Sequence, residues 1–493
     1  MKACVMTLHM NSGATALHPK PVQAPSAARS LRLLALLASA VMLGGCASFS
    51  PDGGFAAVEK STKDRLGKDV QWARSDADQD SIAKRVSELL SKPLTVDDAV
   101  QVALLNNRGL QATFQDLGIS EAEVVQAGRL PNPGFSFGRS SRGDEREIER
   151  GLHFNIARLI ALPFIGQMEA RRFEQTKGMV AMSVLSLAAD TRKAYYNALA
   201  AEETVRYMHQ VKQAADASAE LARRMERVGN FNKLQRAREQ VFYADASLNL
   251  ARAEQAQRAT RERLTRLLGA WGTQTSFTLP ERLSDLPKDA MELPDIERVA
   301  LAQRLDVQGA RLAVAQTARN LGLTRTTRFV NVLELGLTRN SSNEAPTQRG
   351  WEIGFELPLF DWGGARVARA EAVYMQTVHR AAETAINARS EVREAYTGYR
   401  SAYDIARHHR DEIVPLRQRI AEENLLRYNG MLIGVFELLA DARAQIVSVN
   451  NAIESLRDFW IAQADLDMAL IGKPSLAIPG GPATTAEPGG AAH

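Results

Sequence analysis

The sequence predicts a mainly α-helical chain with a small β part, arranged as an internal duplication. Two very long stretches carry almost no helix-breaking residues, which predicts helices longer than those of an ordinary globular domain. Each follows short segments in which apolar and polar residues alternate, the pattern of a two-faced strand. The same order of segments occurs twice, with matching points roughly 195 to 203 residues apart.

The second alternating segment leads directly into a long helical stretch. In residues 351–357, Trp, Ile, Phe and Leu alternate with Glu and Gly, and Pro358 ends the strand because proline has no amide donor. The helix predicted over 363–429 is interrupted only by Pro415. At about 1.5 Å per residue, such a helix is roughly 95 Å long.

Apolar residues of this helix are spaced alternately by three and four positions, which predicts a coiled-coil seam. The many alanines on the seam allow close approach of helix axes, while the remaining positions are polar and solvated. The seam comprises Val378, Ala381, Ala385, Ala388, Val392, Ala395, Tyr399, Ala402, Ala406, His409, Ile413, Leu416 and Ile420.

The first repeat shows the same order of segments. Thr95 is a suitable N-cap for its first helix, and the residues Leu130 to Pro133 end the helical pattern. Two alternating segments and a second long helix follow, and Gly229 to Asn232 form the next break. The first repeat is predicted over 94–272, with a hairpin at 134–158, a long helix at 167–228 and a return helix at 233–268.

A proline-containing linker at 273–293 separates the two halves. The second repeat is predicted over 294–473, with a hairpin at 331–357, a long helix at 363–429 and a return helix at 435–470. Residues 474–493 are rich in Pro, Gly and Ala, which predicts a disordered tail.

The N-terminus has the pattern of a secretion signal. Arg29 and Arg32 precede an apolar run too short to span a bilayer as a helix, and Leu43 to Ser48 resemble a bacterial lipobox. We therefore expect a lipoprotein signal peptide at 1–45, lipidation of Cys46 and a polar tether at 46–93 with a short helix near its end. The alternative is an ordinary signal peptide with an incidental cysteine.

Composition argues against several other classes of protein. The formal net charge is only +4, and basic residues are interspersed with acidic ones along helices, so nucleic-acid binding is not expected. The sequence has no phosphate loop, nucleophile elbow or clustered metal ligands, so we expect no enzymatic activity, no metal site and no cofactor.

The alternating strands are compatible with a membrane barrel. Apolar-out and polar-in alternation is typical of transmembrane β-strands, but four strands are too few to enclose a water-filled pore. Three chains with four strands each could close a twelve-stranded barrel without an exposed edge. An antiparallel sheet packed on helices in a soluble domain fits the same short segments.

The sequence resembles the TolC family of outer-membrane efflux channels, more loosely its lipid-anchored branch, from Leu94 to Gly472. The resemblance rests on residues 130–133, on residues 358–364, on the two helical turns and on the duplication. It implies a homotrimer with a long α-helical coiled-coil barrel and a trimeric 12-stranded transmembrane β-barrel. It also implies a periplasmic adaptor (membrane fusion) protein, an inner-membrane pump of the resistance-nodulation-division type, and outer-membrane lipid of a Gram-negative cell as partners.

The resemblance places the adaptor-docking periplasmic entrance at the two turns between long and return helices. Glu437 could supply a carboxylate ring there, although an acid at a helix start is also favoured by the helix dipole. The entrance comprises Gly229, Asn230, Phe231, Asn232, Gly430, Met431, Leu432, Ile433 and Glu437. The predicted strand-to-helix junctions comprise Pro163, Pro358, Gly363 and Gly364.

The function implied is an outer-membrane channel of a tripartite efflux system that exports small solutes, drugs or metal ions. Two alternatives remain open at this point. One is a type I protein-secretion channel, and the other is a lipid-anchored periplasmic coiled-coil scaffold without a pore.

Overall fold

The computed structural model describes residues 48–327, 333–355 and 359–474. In the first half of the chain, four helices precede two strands, and two much longer helices follow. These elements are α1 (Phe55–Leu66), α2 (Asp76–Leu90), α3 (Val96–Asn106), α4 (Arg108–Ala127), β1 (Gly134–Arg142), β2 (Glu145–Asn155), α5 (Ile156–Arg227) and α6 (Lys233–Leu268).

The second half repeats the order of two helices, two strands and long helices. These elements are α7 (Ile296–Gln303), α8 (Leu305–Thr327), β3 (Leu333–Ser342), β4 (Gln348–Phe355), α9 (Gly364–His408), α10 (Val414–Asn429) and α11 (Val435–Ile471). The predicted fold class, mainly α with four strands and an internal duplication, is confirmed. Within the described ranges, no helix combines the length and apolar character needed to cross a membrane.

The chain divides into two compact units. One unit contains the described parts of 48–56, 114–179 and 309–382, and its centre is a single antiparallel sheet in the order β1-β2-β3-β4. The other contains 57–113, 180–308 and the described part of 383–493, and it is helical.

Two of the hydrophobic clusters in the helical unit follow the duplication. The first joins α2, α3, α5 and α6, with Leu199 and Leu264 among its buried residues. The second joins α7, α9 and α11, where the rings of Tyr399 and Phe459 lie 5.5 Å apart. Each cluster belongs mainly to one repeat, so each half of the duplication has its own core.

In each repeat, a side chain between the two short helices donates to a backbone carbonyl near the end of the return helix, but the residue type differs. Asn107 lies between α3 and α4, and its Nδ2 donates to the carbonyl of Leu267 at 3.0 Å. Arg304 lies between α7 and α8, and its Nη1 donates to the carbonyl of Ala469 at 3.3 Å. Asn107 has φ −68° and ψ 115°, and Arg304 has φ −62° and ψ 126°. The duplication is therefore visible in three dimensions.

Arg304 is only 1% exposed and has two carboxylate partners. Its Nε and Nη2 donate to Asp306 at 3.0 and 2.7 Å, and Nη2 also donates to Glu391 at 2.6 Å. Burial alone lowers the pKa of a guanidinium, but the hydrogen bonds and charges of Asp306 and then Glu391 raise the pKa of Arg304 above its ordinary value. Arg304 therefore links α7, α8, α9 and the end of α11 as a charged group.

The first long helix begins earlier than the sequence predicted. Helix α5 starts at Ile156 rather than 167, and β2 ends at Asn155 rather than 158. The Oδ1 of Asn155 accepts from the Arg158 amide at 2.8 Å, so a helix cap was mistaken for the end of a strand. Pro163 lies inside α5 and is not the strand-to-helix junction.

The second long helix contains a wider turn that the sequence analysis did not predict. Residues His409–Ile413 form a π-helical turn, in which the Val414 amide donates to the His409 carbonyl. Pro415 follows at once and has no amide donor for the regular helical ladder. The seam is also buried only in part, since Val392 is fully buried whereas Leu416 is 57% exposed.

Two segments expected to be loose are packed. The predicted tether at 46–93 contains helices α1 and α2, with Val58 and Val86 buried, where only a short helix was expected. The predicted linker at 273–293 buries Phe277, and the Tyr403 hydroxyl donates to the carbonyl of Lys288 at 2.6 Å. The packing of these segments depends on contacts with residues distant in sequence, which local periodicity does not predict.

We predict that Arg304→Met lowers the free energy of unfolding by about 3 kcal/mol, because Asp306 and Glu391 lose their shared cation. Urea unfolding followed by circular dichroism measures this change. Arg298→Gln is the control, since Arg298 and Asp295 are exposed and their pair contributes about 1 kcal/mol or less. Adding Asp306→Asn and Glu391→Gln to Arg304→Met should recover part of the lost free energy of unfolding. Equal losses for Arg304→Met and Arg298→Gln would contradict the role of Arg304 as a buried, paired cation.

Candidate functional site

One face of the four-stranded sheet carries a large apolar surface. The strand register pairs Phe135 with Leu152, Leu152 with Leu337, and Leu337 with Trp351, so these side chains form one row across all four strands. Trp351 is 72% exposed. The apolar residues of this face are Phe135, Phe137, Ile148, Leu152, Phe154, Leu333, Leu335, Leu337, Trp351, Ile353 and Phe355.

The opposite face is polar and rich in glycine. Ser136 Oγ lies 3.0 Å from His153 Nε2, and a Cβ atom at Gly151 would approach Ser136 Oγ to 2.5 Å. Glycine at this position therefore leaves room for longer polar neighbours. The residues of this face include Gly134, Ser136, Gly138, Glu147, Glu149, Gly151, His153, Glu334, Gly336, Thr338, Asn340, Gln348, Gly350, Glu352 and Gly354.

The second strand-to-helix junction differs from the first. Pro358 lies outside the described residues, and α9 begins at Gly364. Gly363 has φ 74°, a left-handed conformation, and its amide donates to Asp361 Oδ1 at 2.8 Å. Exposed apolar side chains continue here, since Phe360 is 99% exposed.

The first helical turn has a complete hydrogen-bonded C-cap. Gly229 has φ 79°, its amide donates to Glu226 O at 3.0 Å, and the Asn230 amide donates to Met225 O at 2.9 Å. This is the Schellman pattern, with a left-handed glycine just past the helix end. Asn232 then caps α6. Its amide donates to Gln235 Oε1, and the Gln235 amide donates to Asn232 Oδ1, each at 2.8 Å. Phe231, between the caps, is buried.

The second turn has the same hydrogen bonds but no glycine at the left-handed position. The Met431 amide donates to Tyr428 O at 2.9 Å, and the Leu432 amide donates to Arg427 O at 2.8 Å. Met431, with φ 58°, therefore occupies the place of Gly229. Gly430, the glycine of this turn, has φ −82° and lies one residue before the left-handed position.

The second turn presents apolar side chains to solvent. Met431 is 94% and Leu432 is 78% exposed, and Ile433 is half-buried. Glu437 is exposed in the first turn of α11, and its amide donates to Gly434 O at 3.1 Å. Both turns thus exist as compact capped hairpins between helices, with different surface chemistry.

Ion pairs between α5 and α11 join the two repeats. Lys193 Nζ lies 3.0 Å from Asp465, and Arg192 Nη1 lies 3.2 Å from Asp467. Burial raises the pKa of both carboxyl groups, while Lys193 and Arg192 act in the opposite direction. Burial also raises the pKa of Tyr196 to about 12, and its ring stacks on Trp460 at 5.4 Å. These residues hold the helices together rather than forming a reactive site.

The described residues contain no group of three or more potential metal ligands. Cys46 lies outside the described residues. The two-faced sheet and the two turns are therefore the candidate functional surfaces. The left-handed conformation of Met431 has no signal in its residue type, and only the exact spacing between the repeats indicates it.

We predict that Met431→Gly raises the free energy of unfolding by about 1 kcal/mol, because glycine adopts the left-handed conformation without a steric penalty. Gly229→Ala at the matching position should lower it by a similar amount. Leu432→Gly is a control at an exposed neighbour without positive φ, and it should not stabilise. Urea unfolding of the three variants tests this, and destabilisation by Met431→Gly would contradict the turn geometry.

No model of a known protein family matches the chain. The chain is 24% identical over 277 residues to the cobalt-zinc-cadmium resistance protein CzcC of Cupriavidus metallidurans, covering 55% of this chain and 64% of that protein. The chain thus spans somewhat less than two thirds of the length of this curated relative.

Solved structures show a closer likeness in fold. The CmeC outer membrane channel of Campylobacter jejuni matches 76% of this chain and 85% of its own, with a TM-score of 0.66 and 17% identity. The open state of the MtrE outer membrane channel of Neisseria gonorrhoeae matches 76% of this chain and 89% of its own, with a TM-score of 0.63 and 18% identity. The chain therefore has the fold of outer-membrane channels, as its sequence resemblance to the TolC family implied.

Proposed function

We propose that this protein is the outer-membrane channel of a tripartite efflux system and acts without enzymatic chemistry. The observation that carries the proposal is the two-faced sheet. Its exposed apolar face is suited to lipid, and its glycine-rich polar face is suited to a water-filled pore. The fold shared with the CmeC and MtrE channels supports this function.

The channel we propose is a homotrimer. Within the described part of the chain, strands β1 and β4 each have a strand neighbour on one side only, so a single copy leaves two open edges. Three copies would pair these edges and close twelve strands into a barrel. The exposed part of the helical seam, including Leu416, would contact neighbouring helices in this assembly.

The barrel would lie in the outer membrane, and the helices would form the periplasmic part. The turns at 228–232 and 430–434 would form the periplasmic entrance and dock the adaptor protein of an inner-membrane pump of the resistance-nodulation-division type. The exposed Met431 and Leu432 support a role in docking, because apolar side chains at a strained turn have no folding advantage there.

We infer that metal cations are among the exported solutes. The relative from Cupriavidus metallidurans is named for cobalt, zinc and cadmium resistance. The polar face of this sheet also carries Glu147, Glu149, Glu334 and Glu352, which would favour cations in a pore.

Lipidation of Cys46 belongs to the same proposal, because the lipobox-like sequence would attach the mature chain to the outer membrane.

We predict that the purified protein forms cation-selective channels in planar bilayers. Replacing Glu149, Glu334 and Glu352 with Gln should lower the cation-to-anion permeability ratio at least about twofold, because the pore loses carboxylates. The reversal potential in a salt gradient measures this ratio. Glu59→Gln, at an exposed position on α1, is the control. Trimers that insert but never conduct, even after Glu437→Ala, would favour the scaffold without a pore.

We predict that charge reversal at the turns weakens adaptor binding more than membrane insertion. Lys233→Glu and Glu437→Lys should each reduce co-purification of the cognate adaptor about tenfold, because rim charges guide docking. Lys84→Glu on α2 is the control, and all three positions are exposed. Equal loss of adaptor binding and channel insertion would mean that the turns are not the docking site.

Export of a polypeptide instead of metal by the complete system would favour the protein-secretion alternative.

A further inference from the structure

The acidic and basic side chains of the sheet are separated by face. The register places Glu147, Glu149, Glu334 and Glu352 on the polar face. The arginines that share the face of the apolar residues are Arg139, Arg146, Arg150, Arg339 and Arg349. Arg142, on the other face, is paired with Glu145 beside the hairpin turn.

Three of these arginines form a row across neighbouring strands. Arg150 pairs with Arg339, Arg339 pairs with Arg349, and Phe137 continues the row on β1. All three arginines are exposed. Directly opposed like charges destabilise a sheet unless a counter-ion lies between them. No acidic residue shares this face in the described strands, so the counter-ion must come from outside the sheet.

The row lies at the edge of the apolar surface, and Ile148 is the one apolar side chain of this face that the described strands place nearer the hairpin turns. Arg349 and Arg339 stand two residues from Trp351 and Leu337, which form the adjacent apolar row. At the other end of β4, Leu359, Phe360 and Trp362 are exposed, so the apolar surface extends away from the arginines. A charged residue on a lipid-facing strand is tolerated at the membrane interface far better than at the midplane. The arginines therefore fit the level of lipid headgroups.

Guanidinium groups favour phosphate as the matching anion. Their planar forks donate paired hydrogen bonds to phosphate oxygens, and long arginine stems can lie along apolar surface while the charged ends reach the headgroup region. A soluble anion would satisfy the charges but would leave the adjoining Leu, Phe and Trp rows uncovered. A lipid with a phosphorylated headgroup covers both parts of the surface.

We propose that Arg150, Arg339 and Arg349 form a binding site for phosphorylated headgroups of lipids in the outer leaflet. The site rests on the proposed function, because it requires the apolar face to contact lipid and the hairpin turns to lie toward the cell exterior. In the trimer the row would recur in each protomer and form a basic belt above the apolar surface.

The test uses the purified full-length protein in phosphatidylcholine nanodiscs that contain bisphosphoryl lipid A or the same lipid without its phosphates. Native mass spectrometry of the lipids retained gives relative affinities. The unsubstituted protein should prefer the phosphorylated lipid, and Arg150→Gln, Arg339→Gln and Arg349→Gln together should weaken its binding about tenfold. Arg142→Gln is the matched control on the opposite face and should leave binding unchanged.

A second variant addresses folding and hydrogen-bond geometry. Replacing the three arginines with Lys retains the charge but removes the planar fork, so binding should fall between the unsubstituted protein and the Gln variant. Inorganic phosphate at millimolar concentration should not displace the lipid. Displacement by free phosphate would assign the site to a soluble anion and overturn the proposal.

Equal retention of the two lipids by the unsubstituted protein, or full retention of the phosphorylated lipid by the Gln variant, would also overturn the proposal. Channel conductance recorded for the same preparations separates this failure from failure of the proposed function. Conductance without a phosphate preference would leave the channel intact and remove only the lipid site. Failure of the unsubstituted protein to insert would remove the channel function itself.

Discussion

The antiparallel register of the four strands is the constraint on which the surface chemistry depends. Side chains alternate between faces with a period of two, so a slip of one residue in any pair would reverse the faces of a whole strand. A slip of β2 against β3 would bring His153 or Gly151 opposite Leu337 in place of Leu152. The apolar face, the glutamate-bearing face and the arginine row therefore all follow from one pairing scheme.

The helical unit obeys a different constraint, because a duplicated backbone must be satisfied by sequences that have diverged. An amide at Asn107 and a guanidinium at Arg304 reach carbonyls at the ends of the two return helices. The larger group at Arg304 then needs Asp306 and Glu391 as partners. At the turns, Gly229 and Met431 adopt the same left-handed conformation, although only glycine does so without steric cost. The two repeats thus share backbone geometry although their side chains differ.

The sequence was sufficient for the fold class and for much of the sheet, because strand alternation and long helical periodicity are local signals. It was misleading where a residue type occurs in two structural contexts, as proline does at the end of a strand and inside a helix. Pro163 suggested the end of a strand, yet the Asn155 cap had already started α5. The packing of 273–293 depends on contacts distant in sequence, such as the one between Tyr403 and Lys288, which no local pattern reveals. The glycine of the second turn is misleading in the same way, since Gly430 lies one residue before the left-handed position, which Met431 occupies.

The small net charge of +4 conceals opposite charges on the two sides of one sheet. A composition-based argument averages Glu149 and Arg150, which are adjacent in sequence but project to opposite faces. In a barrel, the low-dielectric wall between pore and lipid would keep these charges from neutralising each other across the sheet, so each face needs its own counter-ions. Cations in the proposed pore would satisfy the glutamates, and anionic headgroups would satisfy the arginines. The same two-residue alternation that builds the barrel strand thus assigns a different ionic partner to each of its faces.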